Sequence, residues 1–600
     1  MGLFQQAYRT YIAMEKDYAG KYEEGKQPLA PVSHAITSAD IEITLDRDGA
    51  FVSALSLGKD EPKILIPVTE ESSGRTAAPA AHPLCDQLCY VSGCDEKKLD
   101  LYVTQLDDWA NSQWTHPKLK PILHYVKSGT LLSDLQEHAI IELDQDGSPQ
   151  KDKLLVRWRI LDPDNDAPEE CWKDPSLFRS FIDYYESVRK SESRLCMVSG
   201  EEKSVATQHP KGVISLNGNA KLISANDTRD FTYRGRFSED WQAATVSYEV
   251  SQKTHAALRW IAANQGILIG GRAFLCWNPE GQEIKKFHLP FLPNTEPAIS
   301  PSAYRRELKK TLYGAKDQLP KGAKAVLAAF DAATTGRLSV TYYNELQASD
   351  FLQRLHDWDE TCCWWFAGRS VFSPYLFDIV NFAYGIPRQE KEGTKFVTDD
   401  KVMAQQLQRL VACRVNRARM PADILQRLVN RASAPQAYDE KAWHRLVYVT
   451  CAVIQKYYAP ILKEDLCMEW TLDRQDRSFQ FGRLLAVMEK VEADYYYKTS
   501  KDAKDTRQTN AIKSLNAFKQ TPWNVFERIN VHLENAYFPR LTPSQRNYYR
   551  KVMNEIVILL SVYSKEELNK PLDPFYLIGY ELQRNDFFKH IESTNNNEEE

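Results

Sequence analysis

The chain has 600 residues, 43% of them hydrophobic and 26% charged, and carries a formal net charge of -5. That length exceeds what one core usually supports, so two to four domains are expected, each with the ordinary composition of a globular protein. The slight net acidity argues against coating nucleic acid by bulk positive charge and leaves only regional basic faces to meet phosphates.

LFQQAYRTYIAMEKDY at the start reads as a helix. IEITL (41–45) alternates apolar and polar residues before the turn DRDG and a second strand, AFVSALSL, which is a hairpin signature. KILIPV and LLVRWRIL (154–161) add strands, so residues 1–194 form a mixed α/β N-terminal domain. Short strands and Gly/Asn/Asp turns, interrupted by the helix SQKTHAALRWIAANQ, make 195–335 a β-rich middle domain. LPFLPNTEPAISPSAY (289–304), with four prolines and no period, reads as an exposed loop or linker. Residues 336–465 are mostly helical, and 466–593 form a C-terminal helical bundle in which Phe481, Leu484, Leu485, Met488 and Val491 recur at helical spacing. The tail 594–600 has nothing to bury and is expected to be disordered. The fold class is α+β, with no internal repeat.

Among the 11 cysteines, Cys85, Cys89 and Cys94 lack an obvious fourth ligand, and Cys362 and Cys363 are adjacent, so neither a zinc site nor a disulfide framework is expected. No N-terminal targeting signal and no apolar run near ~18 residues is visible, so a cytoplasmic protein without membrane contact is expected. Walker A, G-x-S-x-G, H-E-x-x-H and G-x-G-x-x-G motifs are missing from the sequence. His356, Asp357, Asp359 and Glu360 offer carboxylates for Mg²⁺, but adjacent positions on a helix point around its axis instead of converging. No catalytic residue, metal or cofactor is expected.

Several segments carry a more specific message. The run LISANDTRDFTYRGRF (222–237) sets arginines beside aromatic rings, a chemistry suited to phosphates and bases and equally to a packed surface loop. With LLSDL and WRILD before residue 165, LCMVSGEEKSVATQHPKG (195–212), VSYEVSQKTHAALRWIAANQG (246–266), GRLSVTYYNELQASDFLQRLHDW (336–358), RMPADILQRLVNRA (419–432) and FGRLLAVMEKVEADYY (481–496), it resembles the large subunit of the type I-C CRISPR surveillance complex (Cascade). These segments run in family order over about 500 residues. The resemblance implies a non-catalytic protein of antiviral defence that helps an RNA-guided complex find and open target DNA. It also implies a set of partners: CRISPR RNA, duplex target DNA, backbone and guide-end Cascade subunits, and a recruited helicase-nuclease. A small subunit translated internally from Met468 is a further implied partner.

Three sets of site residues follow. In EESSGRTAAPAAHPLCDQLCYVSG (70–93), Ser72, Ser73, Gly74, Arg75 and Thr76 form a flexible turn with one groove-reading arginine, in the position where the family's protospacer-adjacent motif is read; Thr-Ala-Ala-Pro after the arginine departs from the family pattern. Asn111 and Gln113 in DDWANSQWTH are candidate groove or wedge residues beside it. Ser224, Asn226, Tyr233, Arg234 and Arg236 are a candidate nucleic-acid or subunit contact. For the displaced strand, residues 401–431 carry seven basic side chains against Asp423, and 498–551 carry eleven against four acids. The candidates there are Arg414, Arg417, Arg419, Lys501, Lys504, Arg507, Lys513, Lys519, Arg546 and Arg550, unless these charges merely solubilise a helical bundle. Two rival functions remain at this stage: a divergent metal-dependent nuclease and a purely structural adaptor.

Overall fold

The structure is a computed structural model that describes residues 2–75, 78–214, 216, 220–224, 237–281, 301–317, 319–334, 336–366, 370–391, 393–462, 470–499 and 508–598. Its contacts divide the α+β chain into two units: Met1–Phe287 with Ala323–Leu346, and His288–Gly322 with Gln347–Glu600. No helix among the described residues is long and apolar enough to cross a membrane.

In the first unit, helix α1 (Leu3–Tyr18) buries Gln6, Ala7, Thr10, Tyr11 and Met14, positions three or four apart and therefore on one face. Strands β1 (His34–Thr37), β2 (Ile41–Asp46), β3 (Phe51–Ser56) and β4 (Ile64–Pro67) follow, and β1 pairs antiparallel with β4, His34 opposite Pro67. The expected hairpin is β2–β3; its turn uses Gly49 at φ +89°, where a Cβ would also sit 2.6 Å from the Pro121 carbonyl. β5 (Val156–Leu161) lies parallel to β2 on its other side, Ile41 opposite Val156. The alternation in IEITL suggests one wet face, but Glu42 and Thr44 are buried as well as Ile41, Ile43 and Leu45. Arg157 and Arg159 account for this: both bond the Glu42 carboxylate, at 2.6 and 2.7 Å, and Arg157 lies 4.0 Å over the Trp172 ring.

Among the helices around this sheet are α2 (Glu70–Gly74), α3 (Glu96–Ala110) and α4 (Pro175–Val188). Tyr102, Leu106 and Trp109 of α3 and Phe181 of α4 join Trp158 of β5 in one core. After the small hairpin of β6 (Ser193–Leu195) and β7 (Glu202–Ser204), helix α5 (Tyr248–Gln265) packs beside α1, with Phe4 edge-on to His255 at 5.4 Å. An antiparallel sheet completes the unit, with strands in the order β11 (Arg337–Gln347), β10 (Lys324–Thr334), β9 (Arg272–Trp277), β8 (Ile267–Ile269). Ala7, Tyr11, Leu258, Ile261, Trp277, Val326 and Phe330 fill the space between this sheet and the two helices.

The second unit is mostly helical: α6 (Pro301–Asp317), α7 (Ala348–Thr361), α8 (Asp400–Asn416), α9 (Ala422–Ala432), α10 (Glu440–Leu462), α11 (Arg477–Thr499), α12 (Pro522–His532), α13 (Pro543–Leu560) and α14 (Phe575–Glu598). Two hairpins interrupt it, β12 (Trp364–Phe366) with β13 (Ser370–Phe372) and β14 (Ile386–Glu390) with β15 (Gly393–Val397). The apolar stripe read in α11 understates its environment, since every residue from Ser478 to Met488 is buried. This helix lies at the middle of the bundle and crosses α14 so closely that a Cβ on Gly482 would sit 1.8 Å from the Tyr576 carbonyl oxygen. Reciprocally, a Cβ on Gly579 would sit 2.0 Å from that of Phe479. α14 also meets the preceding helices, through the Tyr576 hydroxyl on Ser433 at 2.7 Å and Trp443 against the Tyr580 ring. It runs to Glu598.

Candidate nucleic-acid interface

The first unit contains a cleft of about 480 Å³ at which three of the family-like segments meet. One wall begins where β4 runs through Val68 to Thr69, whose side chain caps α2: the Ser72 N–H donates to Thr69 Oγ1 at 3.1 Å and the Thr69 N–H to Ser72 Oγ at 2.9 Å. The flexible turn expected at 72–74 is therefore the end of a capped helical turn, because a Thr three residues before a Ser closes a reciprocal pair of bonds. Ser72 is buried and also bonds the His82 ring at 2.9 Å; the Ser73 hydroxyl donates to the Glu70 carbonyl. Gly74 lies against the Gln208 side chain.

Arg75 ends this turn with its guanidinium fork turned inward. Nη1 and Nη2 donate to the two oxygens of buried Asp86 at 2.9 and 2.6 Å, Nη1 also donates to the Ala80 carbonyl, and the group lies 4.6 Å over the Tyr90 ring. The solvent-facing reader suggested by the sequence is thus a buttress of the wall, since a bidentate carboxylate fixes the planar fork. Thr76 lies outside the described residues.

The opposite wall comes from α5 and from Pro210–Val213. Gln252, His255, Ala256, Arg259 and Ala263 recur at helical spacing and line the cleft, while Ala257, Leu258 and Ile261 turn to the core. Arg259 Nη2 donates to the Lys211 carbonyl at 2.9 Å, and Lys211 Nζ donates to the Arg75 carbonyl at 3.0 Å, so the basic groups are braced by neutral oxygens. Glu70 fixes the approach of this segment by accepting the Thr207 and Gln208 N–H groups at 2.8 and 3.1 Å. Lys63 stands exposed at the lining, and no acidic side chain among the described residues contributes to it. Burial holds the Arg259 guanidinium below its usual pKa, and burial followed by the Arg75 charge does the same to the Lys211 ammonium. Burial likewise pushes His82 and His255 down to about 4, leaving both rings neutral near pH 7. The cleft is thus apolar in part, cationic in part, and arranged to gain from an anion that restores charge balance.

Asn111, Gln113 and Trp114 form an exposed tip just past α3. The Asn111 side chain donates to the Asp107 carbonyl at 3.0 Å, and Ser180, which takes the Trp109 ring N–H at 3.0 Å, also donates to the Trp114 carbonyl. The tip is firmly seated while its side chains remain available to a partner. Ser224 is half-buried; Asn226, Tyr233, Arg234 and Arg236 lie outside the described residues.

The second unit separates the displaced-strand candidates into different roles. Arg414 is fully buried, with Nη2 donating to both oxygens of Asp359 at 2.9 and 3.0 Å, and it does not reach the surface. Its helix places it on the inward face of α8, which a count of local charge ignores. Arg417 is more than half exposed and pairs with Asp357 at 2.7 Å; Arg419 is exposed beside the Tyr457 ring. Asp357 and Asp359, two of the carboxylates weighed as metal ligands, are therefore held by separate arginines. Lys513 is exposed, Lys519 is half-buried with Nζ on Asn430 at 3.0 Å, Arg546 is half-buried, and Arg550 pairs with Glu534 above the Phe538 ring. Lys501, Lys504, Arg507 and Met468 lie outside the described residues.

Sequence reasoning passed over Lys63, Lys211 and Arg259, each a single basic residue in a locally neutral run. The available signal was the polar face of SQKTHAALRWIAA, where Gln252 and Arg259 stand two helical turns apart. A family model described as CRISPR-associated protein (Cas_Csd1) matches residues 8–588. No curated protein matches the chain.

Proposed function

Because the chain belongs to the CRISPR-associated Cas_Csd1 family, we propose that it is the large subunit of a type I-C RNA-guided DNA surveillance complex. In this role it binds the motif flanking the target as duplex, helps separate the strands, and holds the displaced strand for a recruited helicase-nuclease. It performs no bond cleavage itself. Guide pairing supplies sequence specificity, and exchanging a DNA duplex for an RNA–DNA hybrid is nearly balanced, so a few protein contacts tip it. The observation that carries this reading is the cleft in which Lys63, Lys211 and Arg259 face an acid-free lining walled by residues 72–75. The seated tip at Asn111–Trp114 supplies amides and a ring able to approach a groove. Exposed Arg419 and Lys513 suit a single-stranded phosphate path.

The test is binding by the complex assembled with its guide RNA and neighbouring subunits. Lys211→Gln with Lys63→Gln should weaken binding to motif-bearing duplex by about tenfold, the scale of one or two phosphate contacts, and flatten its salt dependence. Binding to a complementary single strand should persist. Equal losses on both substrates would remove the motif assignment, metal-dependent cleavage by the isolated chain would favour the nuclease, and salt-independent binding would favour the adaptor.

A further inference from the structure

We propose that the cleft of the first unit holds a single unstacked deoxynucleotide, with its phosphate against Lys211 and Arg259 and its base between the apolar walls. The identification rests on the reading above, that the protein works on DNA being opened. A volume of about 480 Å³ falls in the range that encloses a small molecule, whereas a groove-reading surface must face the duplex from outside.

The chemistry of the lining is divided in a way a bare anion does not require. Lys211 and Arg259 bond only carbonyl oxygens among the described residues, which leaves their charge uncompensated by carboxylate. Ile36, Ile66, Val68 and Val213 provide faces that could flank a base. Gln252 supplies an independent observation: it is 8% exposed, lines the cleft, and its side-chain amide has no hydrogen-bond partner among the described residues. That amide is not among the buried unpaired atoms, so it meets solvent in the open cleft, where its donor and acceptor can pair with a base edge. Phosphate alone would engage the cations and leave the Gln252 amide to water; a nucleotide engages both. Capturing one nucleotide after its pair opens would keep that pair from re-forming, and its contacts would offset an unstacking cost of a few kcal/mol.

The experiment is equilibrium binding of the full-length chain to each of the four 2′-deoxynucleoside 5′-monophosphates, with inorganic phosphate as the reference. At least one nucleotide should bind about tenfold or more tighter than phosphate, the margin that one amide-to-edge pair provides. Ala263→Trp, which places a large ring on an exposed position of the cleft wall, and Gln252→Leu should each reduce nucleotide affinity by about fivefold or more. Far-ultraviolet circular dichroism establishes that each variant is folded, and Gln252→Leu, which nearly conserves volume, decides if Ala263→Trp is not. Nucleotide binding no tighter than phosphate, undetectable, or unchanged in the folded variant would overturn the inference. If the assembled complex still binds motif-bearing duplex in that case, the functional reading stands without the pocket; loss of DNA binding by the unmodified complex would instead sink that reading.

Discussion

Substituting Gly482 by Ala will destabilise the second unit, although alanine is the better helix former by about 1 kcal/mol. The added Cβ would lie 1.8 Å from the Tyr576 carbonyl oxygen, 2.7 Å from its carbon and 2.8 Å from the Tyr580 nitrogen. All three are backbone atoms of α14, so no side chain can rotate away. Restoring even a ~3 Å separation requires a local shift of about 1.2 Å, beyond the 0.5–1 Å gap that already forfeits a quarter to a half of each dispersion contact. Gly579 is pinned in the same crossing from the other side, so the shift disturbs both helices along Phe479, Leu484, Tyr576 and Tyr580. Overpacking of this kind costs about 1–3 kcal/mol and sometimes more; with backbone on both sides, about 3 kcal/mol net is expected. Gly314 on α6 is the internal control, because nothing lies within 4 Å of its would-be Cβ. Gly314→Ala should gain up to about 1 kcal/mol. Urea denaturation followed by circular dichroism measures both. A Gly482→Ala midpoint equal to that of the parent protein, or a loss no different from Gly314→Ala, would refute the close-crossing account.

Two further outcomes concern the first unit. Burial pushes His34 and His255 down to about 4, so each binds a proton more readily in the unfolded chain, near 6.5, than in the folded one. Their stabilising contribution is complete above about 6.5 and is lost as pH falls toward 4; between about pH 7 and 5 each should forfeit about 2 kcal/mol. Denaturation midpoints measured across that interval should fall with acidification and should fall less in His255→Gln; a flat profile would contradict the neutral buried rings. Arg75→Ala removes the cation facing buried Asp86 and should lower stability by about 3 kcal/mol. A variant that melts like the parent yet loses motif-duplex binding would show instead that Arg75 reads DNA directly.

The sequence made the β2–β3 hairpin legible because its turn chemistry is local: DRDG supplies a glycine at the one position with positive φ. It was silent on the second face of β2, where Glu42 is covered by arginines more than 100 residues away. The same limit applies to charge. Counting basic residues along 401–431 groups buried Arg414 with exposed Arg419, since the count carries no helical phase. Conversely, Lys63, Lys211 and Arg259 raise no local surplus, and their cleft exists only once β4, the segment before Val213 and α5 have come together. The TYRGR run and Met468 lie outside the described residues.

The path of the chain between its two units constrains the order in which they are completed. The first unit needs residues 323–346, because β10 is the strand against which β9 pairs and carries Val326 and Phe330 into the core. By the time β10 is synthesised, α6 has already been made, yet its own partners, including Gln353 on Lys316 and Asp359 under Tyr304, are still to come. Neither half can therefore be finished on the ribosome before the other has begun, and the unpaired edge of β9 must be tolerated in the interval. The same threading governs dissection. A gene truncated after Phe287 would encode an open sheet, and a single proteolytic cut within 282–300 would leave the units joined through 322–323 and 346–347. Obtaining the first unit alone calls for splicing 323–346 directly behind β9, so that the borrowed pair of strands travels with the sheet it closes.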